Sequence, residues 1–533
     1  MKKKFAPYTI LAVMILLSFP ACGCGCGGSG PATEPGPGVD LQEITVRQLR
    51  QGYDQGRFTV RQVVQGYLQR IEAIDRSGPR LNAILRVNPD ALAIADGLDA
   101  ELKAGKPRGP LHGIPVLLKD NIDSRDAMPT TAGATVLRDS YAQRDSAVAA
   151  RLRAAGAVIL GKANMSEWAN FRANLSSSGW SGVGGQTHNP YVLDRNPCGS
   201  SSGSGVAVAA SLCALAIGTE TNGSIVCPAN NNGIVGLKPT VGLVSRSGII
   251  PISFTQDTAG PMTRTVEDAA ICLGAIAGVD ETDAKTLAAA GHVHDDYSRF
   301  LKADGLNGKR IGLLKGSAGY HHKVAALLER AVAFLKSRGA TVVEVEGPKE
   351  GPMENDSFQV LLYEFKDGLN KYFAGLGRPA PAGNLRELIE FNRKDPVELR
   401  YFDQALLEMA QEKGGLEAAE YKKALEAMLK AARADGIDKL MDDHRLDALM
   451  APTGAPAWKT DLVDGDHFLG GSSSLAAISG YPSIALPMGF VDELPVGVSF
   501  FGRAWSEPLL LEIAYAYEQG TRHRRAPTYL VSD

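Results

Sequence analysis

Two serine- and glycine-rich turns carry the residues best suited to covalent chemistry. They are Gly199-Ser-Ser-Ser-Gly-Ser-Gly205 and Gly218-Thr-Glu-Thr-Asn-Gly-Ser224, which put Ser200 and Ser224 24 residues apart. Between them, Val206 to Ile217 is apolar or small throughout, so it must be buried and the pair of turns is no flexible linker. Glycines at 199, 203, 205, 218 and 223 let the backbone come close to a ligand. A phosphate cradle matches poorly, because Val208 stands where a third glycine belongs and no lysine closes either turn. Gly199-Ser-Ser-Ser-Gly203 fits a nucleophile elbow centred on Ser201, yet Pro197 argues against the strand that must lead into one. The third chemistry uses both turns together, with a base supplied from elsewhere.

Lys119 is the candidate base. It ends the run Gly113-Ile-Pro-Val-Leu-Leu-Lys119, in which Ile114 to Leu118 reads as a buried strand. Active sites of α/β sheets collect at such strand ends. Most lysines are solvated ammonium ions; desolvation disfavours that form, so a buried lysine can be neutral near pH 7 and can then act as a base. A serine hydroxyl is a poor nucleophile until a neighbour takes its proton.

Lys119 in Pro-Val-Leu-Leu-Lys-Asp-Asn, the two serine turns and Gly236-Leu-Lys-Pro-Thr240 stand in an order that resembles the amidase signature family of serine hydrolases. The resemblance runs from about residue 41 to Tyr515-Ala-Tyr-Glu-Gln519. Within the family, Ser166-Glu-Trp-Ala-Asn-Phe-Arg172, Ser178-Gly-Trp-Ser-Gly182 and Gly218 through Pro228 are most like its peptide amidases. The resemblance implies a Ser-Ser-Lys triad without histidine: Ser224 as nucleophile, Ser200 as bridge entered through a cis Gly199–Ser200 peptide, and Lys119 as base. It further implies an oxyanion hole from the N–H groups of Thr221, Asn222, Gly223 and Ser224, with Ser201 and Ser202 supporting the turn. Many members have Gly-Gly ahead of the nucleophile where this chain has Asn222-Gly223; asparagine tolerates left-handed φ. The implied activity is hydrolysis of linear carboxamides through an acyl-enzyme, with C-terminal peptide amides as the substrate class. Alternatives are a general aliphatic or aryl-amide amidase, an esterase using Ser201 with a later histidine, and a tethered binding protein with a decayed pocket.

The elements that must position these residues alternate. Thr45-Val-Arg-Gln48 and Thr59-Val-Arg-Gln62 are capping boxes opening helices, the second with an apolar face from Val60 to Ile74. Ser146 to Ala155 reads as a helix and Ala157 to Leu160 as a strand, which with Ile114 to Leu118 gives a β–α–β rhythm. Strands follow at Arg310–Leu314, Ala340–Val345, Asp447–Thr453, Ser483–Pro487 and Val496–Phe500, with helices at Val324–Leu335 and Leu509–Glu518. Residues 356 to 445 read as amphipathic helices whose aromatics pack as core. The expected fold is α/β, a single large domain (41–533) with a central twisted mixed β-sheet covered by helices. Asp257 and the Arg264–Asp268 stretch are expected to brace the serine turns, and Glu167, Trp168 and Asn170 to lie near the substrate.

Residues 1–26 read as an export signal. Three lysines precede a 12-residue apolar stretch, Tyr8 to Phe19, too short to span a bilayer. Cys22 follows a segment resembling a lipobox, so a lipid tether to a cell envelope or a periplasmic location is expected, and 27–40 reads as a Gly/Pro-rich tether. The remaining cysteines, 198, 213, 227 and 272, show no disulfide-framework or zinc spacing, and Cys227 reads as a small buried hydrophobe. A net charge of −3 without charge blocks points away from nucleic acid. The scattered histidines point to no metal, and no cofactor is expected. His292-Val-His294-Asp-Asp296 reads as a surface loop.

Overall fold

The computed structural model describes residues 39–319, 321–377 and 380–532. The export signal, Cys22 and nearly all of the tether lie outside the described residues. Among the described residues thirteen strands form: β1 (Ile84–Val87), β2 (Pro115–Lys119), β3 (Val158–Ala163), β4 (Trp180–Ser181), β5 (Gly185–Gln186), β6 (Leu215–Glu220), β7 (Val235–Lys238), β8 (Thr258–Thr263), β9 (Arg310–Leu314), β10 (Thr341–Val345), β11 (Ala448–Pro452), β12 (Ser483–Val491) and β13 (Leu494–Phe501). Around them stand α1 (Val46–Asp54), α2 (Val60–Arg70), α3 (Ala91–Lys103), α4 (Ala147–Ala154), α5 (Ser202–Ala209), α6 (Val226–Asn231), α7 (Val266–Ile276), α8 (His322–Ser337), α9 (Glu350–Ala374), α10 (Leu385–Asn392), α11 (Ala405–Glu412), α12 (Ala419–Ala432), α13 (Asp438–His444), α14 (Ser474–Ser479) and α15 (Glu507–Thr521).

Eleven strands join one sheet in the order β1-β3-β2-β6-β8-β7-β12-β13-β11-β9-β10, and β4 with β5 makes a separate hairpin. β3-β2-β6 and β11-β9-β10 pair in parallel, while the middle of the sheet is antiparallel. The chain is thus a single large α/β domain with a mixed sheet flanked by helices. β2 and β6 are buried along their whole length, because helices cover both faces; that is why β2 reads as an unbroken apolar run until Lys119.

Both capping boxes form at Thr45 and Thr59, and Ser146 caps α4. The apolar stretch between the serine turns divides into α5, buried on every side, and β6. The helical segment packs as expected: Phe365 and Phe373 join Trp168 and Phe171 in one apolar cluster, and Tyr363 sits with Tyr421 in another.

Arg264 and Asp268 act elsewhere than expected. The Arg264 guanidinium donates to the carbonyls of Val208, Cys213 and Ile44, and the Asp268 carboxylate accepts from the Val46 N–H. They tie α1 to the turn that enters β6, at the strand end opposite the serines.

Candidate active site

The last residues of the parallel strands β2 and β6 are Lys119 and Glu220, so both turns and the lysine gather at the C-terminal strand ends. Lys119 has no exposed surface. Its Nζ lies 2.7 Å from Ser200 Oγ, 2.9 Å from Thr219 Oγ1 and 3.2 Å from the Thr219 carbonyl. Asn121 Nδ2 donates to Thr219 Oγ1 at 3.0 Å, which fixes that hydroxyl. Burial pulls the Lys119 ammonium down to about 7; the carboxylates of Asp257 and Glu220 oppose this and lose. A neutral amine offers two N–H groups and one lone pair. With both N–H groups on the Thr219 oxygens, the lone pair is left for the Ser200 hydroxyl.

Ser200 is fully buried and is entered through a cis Gly199–Ser200 peptide. Its carbonyl accepts from the Ser166 N–H at 3.0 Å. Only glycine fits at 199, since a Cβ there would stand 2.2 Å from Ser166 Oγ. Ser202 Oγ donates to the Cys198 carbonyl at 2.7 Å. Ser201 Oγ donates to the Thr219 carbonyl and accepts from the Thr219 N–H, fully buried against β6. The elbow geometry is therefore not formed: no strand leads into the turn, and Ser201 turns inward. Among the described residues no histidine hydrogen-bonds to a serine of either turn.

Ser224 closes the second turn ahead of α6. Glu220 Oε2 accepts from the N–H groups of Ile225 at 2.7 Å and Val226 at 3.0 Å, so a buried carboxylate holds the start of α6. Thr221 Oγ1 donates to Asp257 at 2.6 Å, and Asp257 also accepts from Ile252 and Ser253; this brace was expected. The positive φ of the turn falls on Gly223, at 84°, and Asn222 keeps φ negative, so asparagine's tolerance of left-handed φ is not needed here. The N–H groups of Thr221, Asn222, Gly223 and Ser224 meet no acceptor among the described residues. Ser201 N–H donates to the Ser224 carbonyl at 3.2 Å and couples the two turns.

A covalent link couples them as well. Cys198 and Cys227 form a disulfide with their Cα atoms 6.0 Å apart. This corrects the reading of Cys227 as a small buried hydrophobe. The partners are 29 residues apart, and no local spacing joins them; only the meeting of the two turns does. Cys213 and Cys272 are free and buried.

A cleft of about 420 Å³ opens over these turns, from Gly199 and Gly223 past Asn222 and Ser473 to Glu350 and Glu354. Its other wall carries Asn170, Trp458, Asp466 and Phe468. Of the three residues placed near the substrate, Asn170 lines this cleft. Glu167 pairs with Arg172 at 2.8 Å beside Glu398, wholly buried, and Trp168 lies in the core. Sequence reasoning missed Thr219, Glu220 and Asn121. Thr219 and Glu220 sit inside the second motif and Asn121 two residues after Lys119, so proximity to the motifs was the available signal.

The Amidase family profile matches residues 62–511. A probable amidase of Arabidopsis thaliana is 40% identical over 92% of this chain and 92% of its own length. The crystal structure of a peptide amidase in complex with the competitive inhibitor chymostatin is 52% identical, with a TM-score of 0.90 over 92% of this chain and 100% of that one. Native peptide amidase from Stenotrophomonas maltophilia is 51% identical, with a TM-score of 0.88 over 92% of this chain and 99% of that one. The chain belongs to the Amidase family and is a hydrolase acting on amides.

Proposed function

We propose that residues 41–533 hydrolyse C-terminal peptide amides to the free acid and ammonia through a Ser224–Ser200–Lys119 triad. The carrying observation is the buried contact of Lys119 Nζ with Ser200 Oγ at 2.7 Å, made by an amine that burial brings down to about 7, so that half of it is neutral at pH 7. Ser200 passes its proton to Lys119 as it takes one from Ser224, and Ser224 Oγ attacks the amide carbonyl. The N–H groups of residues 221–224 receive the developing oxyanion, where one lost donor costs about 10²–10³-fold. The relayed proton returns to the leaving nitrogen, ammonia departs, and water hydrolyses the acyl-enzyme by the same relay. Ser201 and Ser202 hold the turn by the hydrogen bonds described above.

Peptide substrates are supported by the likeness to peptide amidase and by the open cleft of about 420 Å³ over the two turns. The export reading rests on the leader sequence, and the disulfide agrees with it, since such links persist in oxidising compartments. The test is ammonia release from amidated peptides and simple carboxamides by wild type and Ser224→Ala. Release from amidated peptides, lost in the variant, supports the proposal. Release from small amides alone would replace the substrate with a general aliphatic or aryl amide.

A further inference from the structure

We propose that the Cys198–Cys227 disulfide is a positioning element for the two serine turns, and that reducing it disables the hydrolase without unfolding the chain. The inference rests on Ser200 and Ser224 being the working pair. Cys198 stands two residues before Ser200, and Cys227 three residues after Ser224. The Cys227 N–H donates to the Gly223 carbonyl at 2.7 Å, so its backbone belongs to the nucleophile turn itself. Cys198 takes a left-handed φ of 58°, a conformation held by the Cys198 N–H bond to Asn196 Oδ1 and the Ser202 bond to the Cys198 carbonyl. The disulfide therefore spans the two backbone segments whose separation sets the Ser200–Ser224 relay. A neighbouring backbone link, Ser201 N–H to the Ser224 carbonyl, is a single bond at 3.2 Å.

The link is also reachable. Both cysteines line the cleft, and Cys227 is partly exposed. The thiolate of a small dithiol attacks Cys227 Sγ, the S–S bond breaks, and Cys198 leaves as a thiolate that takes a proton from water. The reagent's second thiol then attacks the mixed disulfide, frees Cys227 and leaves as a cyclic disulfide. Two electrons pass from the reagent to the protein. Cys213 and Cys272 are wholly buried, and burial raises both thiols, Cys213 to about 12, so neither competes. The large core around the sheet does not depend on this link, so the fold is expected to survive its loss.

The experiment measures kcat and KM for an amidated peptide before reduction, after dithiothreitol, and after reoxidation. Alkylation with peptide mapping reports the state of Cys198 and Cys227 apart from Cys22, Cys24 and Cys26, and near-UV circular dichroism reports the fold. Misplacing reacting groups by about 1 Å costs on the order of 10²-fold. The expected result is a 10- to 100-fold fall in kcat, roughly, with KM within about twofold, retained dichroism, and recovery on reoxidation. The double variant Cys198→Ser/Cys227→Ser is expected to sit at the reduced level and ignore the reagent. Unchanged kcat with both cysteines alkylated overturns the proposal, as does loss of dichroism together with activity. If the oxidised enzyme releases no ammonia, the amidase reading fails on its own. The rate of Ser224 labelling by a fluorophosphonate then decides: slowing on reduction supports the positioning role, and an unchanged rate overturns it.

Discussion

Removing the Lys119 amine tests the base directly. A lysine in water, with pKa near 10.4, is neutral at pH 7 in roughly one molecule in 2,500. Burial that brings it to about 7 leaves half the molecules neutral, a gain of roughly a thousandfold in competent enzyme. Activity is therefore expected to rise about tenfold per pH unit below 7 and to level off above it. Lys119→Met removes the base and is expected to lower kcat by about 10²–10⁴-fold and abolish that acidic limb. Lys119→Arg keeps the hydrogen-bond donors but is never neutral, so it is expected to be equally inactive. The buried amine also costs stability. A folded pKa of about 7 against 10.5 corresponds to about 4–5 kcal/mol at pH 7, a penalty that fades as pH rises toward 10.5. Lys119→Met relieves this penalty and takes one of two donors from each Thr219 oxygen, at about 1–3 kcal/mol for the pair, while Asn121 and Ser201 still donate to them. The variant is thus expected to be at least as stable as wild type by urea denaturation at pH 7. Ammonia release from pH 4.5 to 9 is the assay. A Lys119→Met enzyme that keeps more than about a tenth of wild-type kcat, or keeps the acidic limb, refutes the base assignment.

Glu220→Ala leaves the Ile225 and Val226 N–H groups without their buried acceptor; kcat is expected to fall with KM little changed, and stability to drop by about 2–4 kcal/mol, while Glu220→Gln recovers part of both. Glu350, Glu354 and Asp466 line the cleft, and none is in an ion pair among the described residues. Amidated peptides carrying a lysine or arginine are expected to show higher kcat/KM than acidic ones, with a margin that narrows in 0.5 M salt and in Glu350→Gln/Glu354→Gln. Arg172→Met leaves Glu167 and Glu398 buried without their cation, and burial and Glu398 already raise Glu167 well above the carboxylate range. A loss of about 3–5 kcal/mol is expected by urea denaturation.

Lys119 was legible because a polar residue ending an unbroken apolar run falls at a strand end, where α/β sites collect, and the surrounding motif separated it from an ordinary solvated lysine. The helices announced themselves through caps at Thr45, Thr59 and Ser146, and most strands through apolar runs, to within a few residues. What the chain did not disclose depends on distant meetings. Cys198 and Cys227 pair only because two turns converge, and Glu167 reaches Glu398 across 231 residues of sequence. Arg264 and Asp268 were placed at the wrong end of β6, because a motif's position in the chain does not say which strand end it faces. The sheet order, with β8 between β6 and β7, follows from tertiary packing that no local pattern encodes. The elbow reading of Ser201, already weakened by Pro197, is closed by the Thr219 backbone, which claims its hydroxyl.

The most direct test of the triad is to identify the residue that becomes covalently modified. The enzyme is treated with a fluorophosphonate and digested, and the labelled peptide is sequenced by mass spectrometry, with residual ammonia release followed in parallel. The account predicts one label on Ser224, loss of activity in step with labelling, and much slower labelling in Lys119→Met. Labelling at Ser201 or Ser200 with the same loss of activity would contradict it.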